Sequence, residues 1–109
     1  MRRWAPVVVW AALIFAFSSI PALGTGLGVW DTILRKAAHV AEFAVLGALL
    51  ARATGRVGLA VALGVLYAVS DEVHQHFVPG RTGNALDVAI DALGVAAGTG
   101  LYRRRRPAP

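Results

Sequence analysis

The chain has 109 residues, 57% of them hydrophobic and 16% charged, with a mean hydropathy of +0.61. Soluble domains carry about 25% charged residues, so lipid rather than water is the expected solvent, and the length allows one domain over residues 1–109. With no cysteine, a disulfide framework and thiolate metal sites are excluded.

A net charge of +5 and an isoelectric point near 11.1 would also suit a nucleic-acid binder. The placement of the cations argues otherwise. Arg2, Arg3, Arg52, Arg56 and Arg103 to Arg106 flank apolar runs, as cations do at membrane boundaries. The expected partner is the lipid bilayer, and no nucleic acid is expected.

The first apolar run covers about residues 4–20, "WAPVVVWAALIFAFSSI". Pro6 falls in its first helical turn, where a missing N–H costs little. A competing reading is a cleaved signal peptide, since Arg2 and Arg3 precede the run and small residues follow it. The run is slightly long for that, and no clear A-x-A site appears. The second run covers about 32–51, with Trp30 before it as an interfacial anchor. A short turn, "RATGR", leads to the third, about 57–78. The fourth, about 85–102, ends at "RRRR" and contains Gly94 and Gly98, a GxxxG pair that lets another helix approach closely.

Each run is near the roughly 20 residues that cross a hydrocarbon core of ~30 Å, and in lipid such runs must be helical. The expectation is all-α: an integral membrane four-helix bundle with short connections. The arginine clusters all fall on one side of such a chain, which makes that side, and both termini, cytoplasmic.

The polar residues then sort by depth. Arg35, Lys36, His39 and Glu42 lie in the outer half of the second span. Asp71, Glu72, His74, Gln75 and His76 lie in the outer half of the third, and Asn84, Asp87 and Asp91 in the first turns of the fourth. At about 100° per residue the first set fits an arc of about 120°; Asp71, Glu72 and Gln75 fit about 100°, and Asn84, Asp87 and Asp91 about 60°. Three helices can thus turn polar faces toward one extracytoplasmic pocket. A charge at a helix centre costs roughly 2.5–3.5 kcal/mol on insertion scales, so such residues are functional candidates.

Particular chemistries follow. A histidine beside a carboxylate is poised for proton transfer, which makes His39, Glu42, Glu72 and Asp87 the candidate acid/base groups. Asp71 and Glu72, adjacent carboxylates in a low dielectric, can act as an acid–base pair; they point about 100° apart, so one of the two can face the headgroups instead. Lys36, Gln75, Arg81 and Asp91 are the candidate substrate-binding groups; the guanidinium of Arg81 suits phosphate or carboxylate. Plain structural roles compete: Lys36 snorkelling, Arg81 locking its loop, Asn84 as N-cap and Asp87 favoured by the helix dipole. HEXXH is absent and His74 and His76 are not at ligand spacing with His39, so no metal and no cofactor is expected.

Across this pattern, "RKAAHVAEFAVLG" followed by "SDEVHQHFVPGRTGNALDVAIDALG" resembles the VanZ-like family of small bacterial membrane proteins, with "IFAFSSIP" as its start. The resemblance covers about residues 10–98. The family's polar positions fall on Lys36, His39, Glu42, Glu72, Gln75, Arg81 and Asp87. Asp91 stands where the family usually has Asn, and Asn84 where Ser is common. The family is named for a member linked to teicoplanin resistance, which implies a role in the bacterial plasma membrane and cell envelope.

Three functions fit these residues. The pocket binds and transforms an envelope lipid, glycan or phosphate-bearing headgroup. Alternatively it binds a cell-wall precursor, a glycopeptide, a lipid or a partner protein without chemistry. The third is a small proton-coupled exporter, for which a polar site reachable from both sides is needed; the apolar inner halves do not supply one.

Overall fold

Four helices account for nearly all of the residues described by a computed structural model, which covers 2–18, 29–77 and 85–105. In order they are α1 (Trp4–Ser18), α2 (Val29–Thr54), α3 (Val57–His76) and α4 (Ala85–Arg105). There is no strand among the described residues.

The second helix is longer than its apolar run. It begins at Val29 and continues through the "RAT" of the expected turn to Thr54. Arg52 lies in its last turn, where a cation favours the helix dipole. Gly55 ends the helix at φ +68°, a left-handed conformation that glycine adopts without a Cβ penalty. Its N–H donates to Ala51 O at 2.9 Å. The connection to α3 is two residues long, and the hydroxyl of Thr54, the last residue of α2, accepts from the N–H of Arg56 at 3.1 Å.

Partner numbering gives the helix directions. The pairs Lys36–Asp87, His39–Asp91 and Gly47–Thr99 are 51, 52 and 52 residues apart. A near-constant separation means that α2 and α4 run parallel, while α3 runs against both. Glycine sets their spacing. A Cβ on Gly94 would lie 2.7 Å from Val40 O, and one on Gly98 would collide with Ala44 O. From the other side, a Cβ on Gly47 would collide with Val95 O. The GxxxG pair therefore docks on α2, and Gly47 answers it there. Thr99 Oγ1 donates to Gly47 O at 3.2 Å across the same contact.

The first helix lies against α2 and α3 through two aromatic donors. Trp10 Nε1 donates to Glu42 O at 2.8 Å, and the Tyr67 hydroxyl donates to Ala11 O. Among the described residues the fully buried apolar core is Ile14, Phe43, Leu46, Ala60, Ala68 and Val95, with at least one residue from every helix. Outward, all four helices show large apolar side chains, such as Val8, Ile33, Leu66 and Leu93. The buried set, by contrast, includes Asp71, Gln75, Asp91 and Thr99.

Among the described residues one helix, Val57–His76, is long and apolar enough to cross a membrane, with a mean hydropathy of 1.4; the apolar stretch Trp4–Phe17 is shorter. Charged residues lower the hydropathy of α2 and α4, and several of these lie on the faces that meet inside the bundle.

Candidate functional site

The polar residues collect at the end of the bundle where α2 and α4 begin and α3 finishes. Parallel α2 and α4 bring their charged residues together in matched steps. Lys36 Nζ donates to Asp87 Oδ1 at 2.6 Å, with the two side chains 39% and 21% exposed. One turn deeper, His39 Nδ1 lies 3.3 Å from Asp91 Oδ1, and the exposures fall to 14% and 2%. Three residues on one helix and four on the other advance each by about one turn, so the second pair sits directly below the first.

From the antiparallel side α3 contributes Asp71 and Gln75, four residues apart and hence on one face. Gln75 Nε2 donates to Asp71 Oδ2 at 3.1 Å and lies 3.4 Å from His39 Nε2. An amide nitrogen can only donate. His39 Nε2 is then the acceptor, and in the neutral ring the proton sits on Nδ1 and is donated to Asp91. One chain of hydrogen bonds runs Asp91–His39–Gln75–Asp71 and joins α4, α2 and α3.

Asp71 and Asp91 are each 2% exposed. Burying a carboxylate costs several kcal/mol even after relaxation, so the fold tolerates two such groups only because they share compensating contacts. Below the chain, the ring of Phe43 stacks on His39 at 6.2 Å between centroids and meets Tyr67 at 6.1 Å. Phe43 is fully buried and forms an apolar floor.

Of the residues singled out in the sequence, Lys36 pairs with Asp87, and His39, Gln75 and Asp91 join Asp71 in the hydrogen-bonded chain. Glu42 and Glu72 are half-buried at the margin. They are close enough to interact electrostatically with the cluster, Glu42 with His39 and Glu72 with Asp87 and Asp91. Glu72 Oε1 is buried and has no hydrogen-bond partner among the described residues. Arg81 and Asn84 lie outside the described residues. His74, in the outer half of its apolar run, is half-buried and stacks on Phe15 with centroids 4.0 Å apart.

Asp71 holds a more central place than the sequence alone gave it. Its i, i+4 relation to Gln75 was the available signal, because it puts both residues on the face that meets His39. The adjacent Glu72, about 100° further round, is displaced from that hydrogen-bonded line.

At the opposite end of the bundle, Ala51, Gly55, Val57, Tyr102 and Arg103 line a hollow of about 280 Å³. Arg3 Nη1 also reaches Arg52 O at that end, at 3.4 Å. This end is basic, whereas the end that holds the cluster mixes both signs of charge.

No curated protein and no solved structure matches the chain. The family described as VanZ/LLP1 matches residues 3–106, nearly the whole length and all four helices. The chain belongs to the VanZ/LLP1 family.

Proposed function

We propose that this chain is one integral membrane domain of the bacterial plasma membrane and cell envelope, with both termini cytoplasmic. Its polar cluster opens to the extracytoplasmic side and binds an envelope lipid, glycan or phosphate-bearing headgroup. The observation that carries this reading is the distribution of polarity. Large apolar side chains face outward on all four helices, while Asp71, Gln75, Asp91 and Thr99 are buried among them. Water would favour the reverse, whereas lipid favours apolar exteriors and paired polar interiors. Family membership supports an envelope role and a link to glycopeptide resistance.

In this reading Lys36 and Arg81 attract the anionic part of the ligand. His39, oriented by Asp91, carries the proton for any bond cleavage, and Glu42, Glu72 and Asp87 are the remaining acid/base groups. The apolar floor at Phe43 keeps the ligand at the mouth of the bundle. That floor also argues against a proton-coupled exporter, which needs access from both sides.

A second reading, binding without chemistry, is favoured by one feature of His39. Both of its ring nitrogens are engaged by protein groups, as in a side chain that maintains a pocket. Mass spectrometry of the protein extracted in lipid nanodiscs tests the shared part of both readings. Selective retention of an anionic lipid or glycan, reduced at least about tenfold by Lys36→Met, is the expected result. Retention that only mirrors the bulk lipid would refute it. His39→Gln then separates the two: turnover is lost and binding kept if the site is catalytic.

A further inference from the structure

The geometry points to a divalent-cation site formed by His39, Asp71 and Asp91. One ligand atom from each of these residues lies within 4.8 Å of the other two, and the three come from α2, α3 and α4. The site was invisible to spacing rules because no two of its residues share a helix. A motif such as HEXXH places ligands on one helix, whereas here the packing of three helices brings them together.

Distances and chemistry agree with a cation. Protein ligands bind divalent ions at about 2.0–2.6 Å. Adjacent ligands of one ion are then about 3–3.5 Å apart, and opposed ligands about 4–5 Å. The His39–Asp91 separation of 3.3 Å falls in the first range, and the 4.8 Å limit for the whole set falls in the second. An ion seated there takes the place of the proton between Nδ1 and Asp91, and the neutral ring then carries its proton on Nε2.

Burial sets this group apart from acidic clusters on protein surfaces. Asp71 and Asp91 are each 2% exposed and His39 is half-buried. With the imidazole neutral, the three ligands bring two negative charges into the bundle, which is the charge that one divalent ion balances. Gln75, 3% exposed, lies against both Asp71 and His39. Turning its amide over would offer Oε1 as a further oxygen ligand, the kind that hard cations take.

The donor set narrows the ion. Two carboxylates suit Mg²⁺, Ca²⁺ and Mn²⁺, and an imidazole suits the transition metals. Mn²⁺ satisfies both, and a chain without cysteine offers nothing to favour thiophilic ions. Three protein ligands leave positions open for water or for an anionic oxygen. Lys36 sits one turn toward the helix starts with its charge held by Asp87, at the entrance rather than inside. The cation site goes beyond the headgroup reading and stands without it.

Titration of the full chain in nanodiscs, stripped with a chelator and followed by the Mn²⁺ electron paramagnetic resonance signal, tests the site. The expected result is one Mn²⁺ per chain, with affinity lowered at least about tenfold by Asp91→Asn and by His39→Gln. Tyr102→Phe, at the other end of the bundle, leaves the affinity unchanged. Circular dichroism identifies folded variants, and His39→Gln, at a half-buried position, serves if the aspartate variant does not fold. Stoichiometric Zn²⁺ or Ca²⁺ binding that displaces Mn²⁺ and shows the same sensitivity supports the site and reassigns its ion. Absence of stoichiometric binding by any of the three, or an unchanged affinity in folded His39→Gln, overturns it. Lipid retention measured on the same stripped samples reports separately on the headgroup reading.

Discussion

Lys36 and Asp87 meet at 2.6 Å where α2 and α4 begin, one helical turn above the contact between His39 and Asp91. The two pairs differ mainly in depth. The upper pair is partly exposed, so solvent screens it and its coupling should be modest. A double-mutant cycle with Lys36→Met and Asp87→Asn, read by thermal unfolding in detergent, should give a coupling of about 1 kcal/mol. It should shrink as salt is raised. A coupling that does not respond to salt would mean that the pair is not solvated as its exposure indicates.

Glycine substitutions should separate close packing from helix propensity. Gly98→Ala puts a methyl group into Ala44 O, and Gly94→Ala puts one 2.7 Å from Val40 O. Each should cost about 1–3 kcal/mol, with Gly98 the worse, because overpacking forces two backbones apart. Gly100→Ala on the same helix meets nothing within 4 Å. It should be neutral or stabilising by up to about 1 kcal/mol. Unfolding midpoints of the three variants check the order.

Thr99 is fully buried and donates to Gly47 O. Thr99→Val keeps the shape and removes the donor. The expected loss is about 0.5–1.5 kcal/mol, measured by the same unfolding assay. A loss well above that range would mean that Thr99 holds more than this one hydrogen bond.

The first helix should respond to two conservative changes. Trp10→Phe removes the donor to Glu42 O, and Tyr67→Phe removes the donor to Ala11 O. Each should cost about 1 kcal/mol, and together they should speed amide exchange in α1 ahead of α4. Uniform exchange across both helices would show that α1 does not open as a separate unit.

Much of this architecture was legible in the sequence. Apolar runs placed the four helices, and depth sorting placed Lys36, His39, Glu42, Asp71, Glu72, Gln75, Asp87 and Asp91 at one end. The extension of α2 through Arg52 to Thr54 was not legible, because polarity after an apolar run reads as a turn while Gly55 sets the actual stop. The central place of Asp71 was hidden for a different reason. Helical angle shows which residues share a face, but not which shared face meets His39; that depends on how close Gly47, Gly94 and Gly98 allow the helices to come. The His39–Asp71–Asp91 grouping was hidden for the same reason, since it exists only after α2, α3 and α4 have packed.

The convergence of three helices on His39 can be measured directly by solid-state nuclear magnetic resonance of the protein in bilayers. Three histidines make ring-nitrogen labelling simple to assign. With ring ¹⁵N histidine and ¹³C-carboxyl aspartate, His39 Nδ1 should show a short through-space contact to an aspartate carboxylate that disappears in Asp91→Asn, while the longer contact of the ring to Asp71 remains. With side-chain ¹³C glutamine in place of the labelled aspartate, the ring should show a second contact that is absent in Gln75→Leu. A His39 ring that couples to neither Asp91 nor Gln75 in the folded protein would contradict the account.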